Sequence, residues 1–180
     1  MKRKFILTVL LVMTLALSVM STPVSAWTYM FSNTDFTKIS TDVSVPSHPA
    51  IDIESKSTTS INGATIKAVF SGKVAYKYDY DSSLPNTGNN TAGNYVLIVD
   101  SNNTYKAGFM HMTNKCSLSV GASVSTSTTL GTVGSTGNST GPHLHHSVHT
   151  GSSNWASSTS GSVSTTVYDP KSCYSVTFSY

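Results

Sequence analysis

Residues 141–148 read Gly-Pro-His-Leu-His-His-Ser-Val, and this segment decides how we interpret the fold. The Gly-Pro pair is typical of a turn, and polar and apolar side chains then alternate over His143, Leu144 and His145. Such alternation predicts a β-strand, in which residues i and i+2 project from the same face. We therefore expect His143 and His145 on one face, roughly 6.6 Å apart along the chain, and Leu144 in the core.

The same period of two recurs along the chain, and no long segment has a helical period. We predict strands at 65–69, 73–80, 95–99, 105–111 and 143–148. A further strand is predicted at the C-terminus, where Tyr174, Val176, Phe178 and Tyr180 alternate with small polar residues. Clusters of Gly, Asn and Ser separate these segments. The pattern predicts an all-β fold, a small and mostly antiparallel β domain.

Residues 1–26 resemble an export signal rather than part of the fold. Lys2, Arg3 and Lys4 precede an apolar run, and Val24-Ser25-Ala26 fits a small-x-small cleavage site. We expect secretion, with Trp27 as the first residue of the mature chain; an uncleaved anchor is the alternative. The formal charge of +3 comes from these three basic residues, so the remainder is neutral. Neither nucleic acid nor, after signal cleavage, a membrane is expected as a partner.

The chain contains two cysteines, Cys116 and Cys173. In a secreted protein an even pair usually forms a disulfide, so we expect one here. Two buried free thiols are the alternative. Without a Cys-x-x-Cys motif the pair does not make a thiolate zinc site.

The histidines carry the chemical signal. His48 and Asp52 are four residues apart, so in an extended segment they share a face while Ile51 and Ile53 point into the core. His111 ends a strand-like run and is a candidate proton carrier. Two imidazoles on one face, as predicted for His143 and His145, favour a metal such as zinc.

Two further histidines are not expected in the site. His146 should point to the opposite face from His145. His149 lies on the same nominal face, but four strand residues span roughly 13 Å, too far for one metal ion to bind both without a bend.

The order of these motifs resembles the lysostaphin-type (LytM-like) zinc endopeptidases of bacterial cell walls. The family order is followed by three motifs: His-x-x-x-Asp at 48–52, a strand-ending His111, and Gly-Pro-His-Leu-His at 141–145. The segments 64–74, 93–112 and 119–137 resemble the family's intervening stretches. Tyr168-Asp169-Pro170 resembles the end of its domain.

This resemblance implies an all-β, duplicated-hairpin, barrel-sandwich-like domain with a cleft over one sheet. It implies one zinc ion per chain, with His48, Asp52 and His145 as ligands and His111 and His143 as catalytic histidines. The implied substrate is a peptide bond in the stem or cross-bridge of peptidoglycan. We divide the chain into a signal peptide (1–26), a leader (27–47) and a zinc peptidase catalytic domain (48–180), and we expect a monomer.

Two other functions remain open at this point. Some relatives keep the fold but lose metal ligands, and act as binding or activator modules. A secreted protease that cleaves a protein outside the cell wall is the other alternative. A measurement of zinc content distinguishes a binding or activator module from an enzyme. A comparison of substrates distinguishes a protease of another protein from a cell-wall enzyme.

Overall fold

The computed structural model describes residues 27–44, 47–154 and 166–180. The predicted signal peptide at 1–26 and most of the Ser/Gly-rich loop predicted at 151–164 lie outside the described residues. The signal peptide and the division of the chain at residue 48 therefore stay predictions.

The described residues form an almost entirely β structure, which confirms the predicted fold class. The strands are β1 (Lys38–Thr41), β2 (Ile51–Glu54), β3 (Thr65–Lys67), β4 (Gly72–Tyr78), β5 (Asn94–Asp100), β6 (Tyr105–Met112), β7 (Ser123–Val124), β8 (Thr129–Thr132), β9 (Leu144–Thr150) and β10 (Val167–Tyr168). Two short 3-10 helices span Gly88–Ala92 and Pro170–Cys173. No helix in these described ranges has the length and apolar character needed to cross a membrane.

One antiparallel sheet dominates the fold, with the strand order β1-β2-β9-β6-β5-β4-β7. β10 pairs with β9, while β3 and β8 form a separate two-stranded sheet. The order places β2, β9 and β6 side by side, although they lie far apart in the sequence. These three strands carry Asp52, His145 and His111.

The central strand β5 is covered on both faces. Val96 and Ile98 join the large hydrophobic core, whereas Tyr95 and Leu97 join a smaller cluster on the other face. All four side chains are fully buried. This explains why its sequence, NYVLIVD, is a continuous apolar run rather than a strict alternation.

The leader packs on the same core. Met30, Phe31, Phe36 and Ile39 are buried, and β1 pairs with β2. No clear periodicity marks this segment in the sequence, because its apolar side chains are irregularly spaced.

The predicted C-terminal strand is wrong in part. Its alternation persists, since Val176 and Phe178 pack against the core. However, residues 174–180 pair only through isolated bridges, Trp27 with Tyr174 and Lys38 with Ser179, and so form no continuous ladder.

The expected disulfide is not formed, because Cys116 and Cys173 are both buried free thiols. The main-chain oxygen of Cys116 accepts a hydrogen bond from Lys77 of β4. Cys173 lies in the 3-10 helix that packs beside β9. Strands β5 and β6 lie between β4 and β9, and neighbouring strands are about 4.8 Å apart. The two strands that the cysteines adjoin are therefore separated by more than the roughly 4.4–6.8 Å between Cα atoms that a disulfide needs.

Candidate metal centre

Strand register brings Asp52 and His145 together across 93 residues of sequence. The two residues are direct partners in the β2–β9 ladder, and opposite side chains in such a ladder lie close together. Asp52 Oδ1 lies 2.9 Å from His145 Nδ1. Ile51, Ile53 and Leu144 are fully buried on the core side, as predicted.

His48 completes a group of three possible metal ligands. It precedes β2, and its Nε2 lies 3.2 Å from Asp52 Oδ1. Its other ring nitrogen, Nδ1, donates to the main-chain oxygen of Asp42 at 3.0 Å. The ligand atoms of His48, Asp52 and His145 all lie within 4.8 Å of one another.

The spacing of these atoms fits a metal ion. Ligands at 2.0–2.1 Å from a tetrahedral zinc ion are about 3.3 Å apart, close to the 3.2 and 2.9 Å measured from Asp52 to its two histidines. Two imidazoles and one carboxylate also leave a fourth position open, which is typical of catalytic rather than structural zinc sites.

The histidines also determine the charge of Asp52. Burial alone would raise the pKa of this carboxyl, but hydrogen bonds and charge from His145 and His48 outweigh it and hold the pKa far below its usual value. The hydrogen bond to Asp52 in turn raises the pKa of His48, against the effect of burial. Asp52 is therefore an anion throughout the physiological range, as a metal ligand must be.

His111 lies beside this group in an unusual backbone conformation. Its φ angle is 60°, in the left-handed region that few non-glycine residues occupy. Its Nδ1 lies 2.8 Å from the main-chain oxygen of Thr136. Because a carbonyl only accepts, Nδ1 carries the proton and Nε2 is left with its lone pair. Burial lowers the pKa of this imidazole to about 4, so it is neutral at pH 7.

His143 faces the same space from the turn before β9. Its Nδ1 donates to the main-chain oxygen of Gly141 at 2.8 Å, and its Nε2 lies 3.7 Å from Asp52 Oδ1. The His111 ring centre is 4.8 Å from that of His143 and 5.8 Å from that of His145. The structure thus gathers all five residues that the sequence singled out.

These side chains line a cleft of about 490 Å³. The other lining residues are mostly small and uncharged. They are Ser47, Thr91, Ala92, Met110, Asn138, Ser139 and Thr140.

The two histidines left out of the site lie elsewhere. His146 is fully buried in the core; its Nδ1 donates to Gly108 at 2.9 Å and its Nε2 lies 2.7 Å from the Tyr174 hydroxyl. His149 is also fully buried, with its Nε2 bonded to the Ser153 oxygen at 3.2 Å. Neither lines the cleft.

Sequence reasoning missed Thr136, which orients His111. The Thr136 hydroxyl donates to Met112 and accepts from the Asn94 main chain. Gly93 and Gly137 pack so closely that a Cβ on either would collide with the other's segment. Both glycines lie in segments that resemble the family, at 93–112 and 119–137, but nothing in the sequence shows that the two segments meet.

Comparison with known proteins agrees with this geometry. The sequence profile of Peptidase family M23 matches residues 46–157, which include all three possible ligands and both further histidines. The chain belongs to peptidase family M23. Family and site together mark it as a metallopeptidase.

Solved structures of several other peptidases share the fold. The chain is 25% identical to the antimicrobial peptidase lysostaphin from Staphylococcus simulans, with a TM-score of 0.58 over 83% of this chain and 55% of lysostaphin. The lysostaphin catalytic domain alone matches at 25% identity and a TM-score of 0.51, over 77% of this chain and 86% of that domain. A zinc-containing peptidase from Vibrio cholerae is 25% identical, with a TM-score of 0.53 over 68% of this chain and 36% of that peptidase.

Proposed function

We propose that the chain is a secreted zinc endopeptidase that hydrolyses peptide bonds in the stem or cross-bridge of bacterial peptidoglycan. One observation carries the proposal: the ligand atoms of His48, Asp52 and His145 lie together, and His111 and His143 line the same cleft. A binding module has no need for two further histidines beside a complete ligand group.

The five residues have separate roles in this proposal. His48, Asp52 and His145 hold one zinc ion, and His111 and His143 act on protons. The chemistry that zinc supplies in such a site is the acidification of water and the polarisation of a carbonyl. Asp52 brings the only carboxylate among the lining residues, so the loaded site keeps a net positive charge that suits a developing oxyanion.

The fixed tautomers indicate how protons move. His111 Nε2 is unprotonated at neutral pH and accepts a proton from the attacking water. His143 Nδ1 donates to the Gly141 oxygen, so its Nε2 accepts a hydrogen bond from the same water, and His111 then passes the proton it has taken to the leaving nitrogen. The new bond joins water oxygen to the carbonyl carbon, the C–N bond breaks, and the proton ends on the departing nitrogen.

The walls of the cleft support a peptide substrate with small, uncharged side chains. Ser47, Thr91, Asn138, Ser139 and Thr140 offer hydroxyl and amide groups to a peptide backbone. The predicted export signal would place the enzyme where peptidoglycan is found. The resemblance to cell-wall endopeptidases selects peptidoglycan among such substrates.

Sacculi of several cross-bridge types provide the test. Purified protein with one equivalent of zinc should release new amino groups from at least one type, and chelation should abolish the release. The His111→Ala variant should bind zinc without releasing amines. Zinc binding with no release from any sacculus, but with cleavage of a Gly-rich protein, would point to a substrate outside the wall. Failure of the protein to hold zinc would favour a binding module.

A further inference from the structure

The orientation of His48 depends on residues outside the matched family region. Asp42, Lys171 and Tyr180 all lie beyond residues 46–157. We propose that these three residues, termed here the His48 support, are positioning residues that hold His48 ready to bind metal. The inference rests on the zinc site proposed above.

The contact that matters most is between the His48 ring and the Asp42 main chain. His48 Nδ1 donates to the Asp42 oxygen at 3.0 Å, which orients the ring so that Nε2 is the nitrogen that can exchange its proton for a metal. Nε2 then lies 3.2 Å from Asp52 Oδ1, on the side where the other ligand atoms lie. Movement of the Asp42 main chain would therefore turn the ring away from Asp52 and His145.

Side chains from the C-terminal segment hold Asp42 in place. Lys171 Nζ forms an ion pair with Asp42 Oδ1, and the Tyr180 hydroxyl donates to Asp42 Oδ2 at 3.2 Å. Both carboxylate oxygens of Asp42 are thus engaged. The side chain of Lys171 is 17% exposed and that of Asp42 is 43% exposed, so solvent partly screens this ion pair and its role is to position Asp42 rather than to add much stability.

Lys171 is itself fixed by the local structure. Its Nζ also contacts Asp169 Oδ2 at 3.2 Å, and its main-chain nitrogen donates to Asp169 Oδ1 at 2.9 Å. Asp169 caps the 3-10 helix Pro170–Cys173 in this way. The ammonium group therefore reaches Asp42 from a hydrogen-bonded turn.

The main chain of the tail is anchored to the leader as well. Ile39 donates to the Ser179 oxygen at 2.7 Å, and Ser179 donates to the Thr37 oxygen at 3.0 Å. Ser44 donates to the His48 oxygen at 2.8 Å. The leader and the tail thus act together on the first ligand, although neither carries a ligand.

The test measures two quantities for each variant. One is the zinc affinity, by competition with a chromophoric chelator, and the other is the melting temperature of the zinc-free protein. Lys171→Met should raise the zinc Kd about 10-fold, as loss of groups that orient ligands does elsewhere, and Tyr180→Phe should raise it less. Lys171→Arg should retain most of the affinity because it keeps the charge. Lys38→Met is the matched control, since it removes an exposed ion pair with Glu54 between β1 and β2 and leaves the contacts of the His48 support in place.

Melting temperatures separate positioning from simple destabilisation. The inference predicts a higher Kd in Lys171→Met and in Asp42→Ala while both zinc-free proteins remain folded at the assay temperature. Should both keep the wild-type Kd, or should Lys38→Met lose as much affinity as Lys171→Met, the inference is wrong. Wild-type protein that binds no zinc would refute the proposed function and this inference together. Normal zinc binding without peptidoglycan cleavage would refute only the function, and the variants would still decide the inference.

Discussion

The main-chain oxygen of Thr136 accepts a hydrogen bond from His111 Nδ1 at 2.8 Å. This contact joins the end of β6 to a loop 25 residues further along the chain. It determines which nitrogen of His111 is free to accept a proton. Because Thr136 is held by the close contact of Gly93 with Gly137, two glycines that carry no side chain into the cleft help to set the orientation of His111.

His111→Ala should separate proton transfer from metal binding. We expect activity on sacculi to fall by about a hundredfold to ten-thousandfold, the usual contribution of a general base, with zinc content unchanged. Zinc analysis and amine release on the same preparation measure both quantities. His149→Gln is the matched control, since it replaces a buried histidine outside the cleft. Wild-type rates in His111→Ala would show that His111 is not the base.

The two histidines of the His-Leu-His motif should differ in their effect on metal binding. Zinc that binds only the folded protein stabilises it by about 4 kcal/mol at a thousandfold excess over Kd, and so raises the melting temperature. We expect His145→Ala to abolish this zinc-dependent shift, because it removes a ligand. His143→Ala should retain the shift and lose activity. The assignment fails if the two variants respond to zinc alike.

Gly137→Ala should damage the site through the backbone. Gly137 has a φ of 76° and Gly63 a φ of 77°, but only at Gly137 would a Cβ meet neighbouring main chain. Both substitutions carry the cost of a left-handed residue, about 1–2 kcal/mol. Gly137→Ala should cost about 1–3 kcal/mol more for the collision and should also lower activity. Urea unfolding of the two variants measures the difference; equal stabilities would contradict the packing described here.

Burial of His149 predicts a pH dependence of stability. Desolvation lowers its pKa, and the neighbouring Lys106 ammonium adds to this effect. The unfolded state, with a pKa near 6.5, therefore binds protons more readily than the folded state. The stability due to neutral His149 is fully present above pH 6.5 and is lost as the pH falls towards the folded pKa.

His149→Gln should reduce this acid dependence, because glutamine does not titrate. The slope of unfolding free energy with pH between about 7.5 and 5.5 should be smaller than in the wild type, by at most about 1.4 kcal/mol per pH unit. Both proteins are compared with a chelator present, so that metal binding does not contribute. Parallel pH profiles would contradict this prediction.

The sequence was sufficient for the parts of the site that depend on strand periodicity. Ile51, Ile53 and Leu144 are buried and their polar neighbours face the cleft, as a period of two requires. The sequence also placed His146 on the opposite face, where it is fully buried.

Other features depend on long-range pairing that the sequence does not encode locally. Thr136 contacts His111 through its main-chain oxygen, a group that every residue has, so this contact has no signal in the sequence. The C-terminal alternation predicted a strand, but the tail meets β1 at a single bridge. The expected disulfide followed from cysteine number and predicted secretion alone, whereas the distance between the two cysteines depends on the strand order of the sheet.

Digestion of sacculi in isotopically labelled water tests the central claim most directly. Zinc-loaded protein should produce stem or cross-bridge fragments in which each new carboxyl terminus carries one labelled oxygen and is matched by a new amino terminus. Mass spectrometry would identify both ends and hence the bond cleaved, and chelated protein should produce neither. If zinc is bound to the protein but no sacculus of any cross-bridge type yields a labelled carboxyl terminus, the account is contradicted.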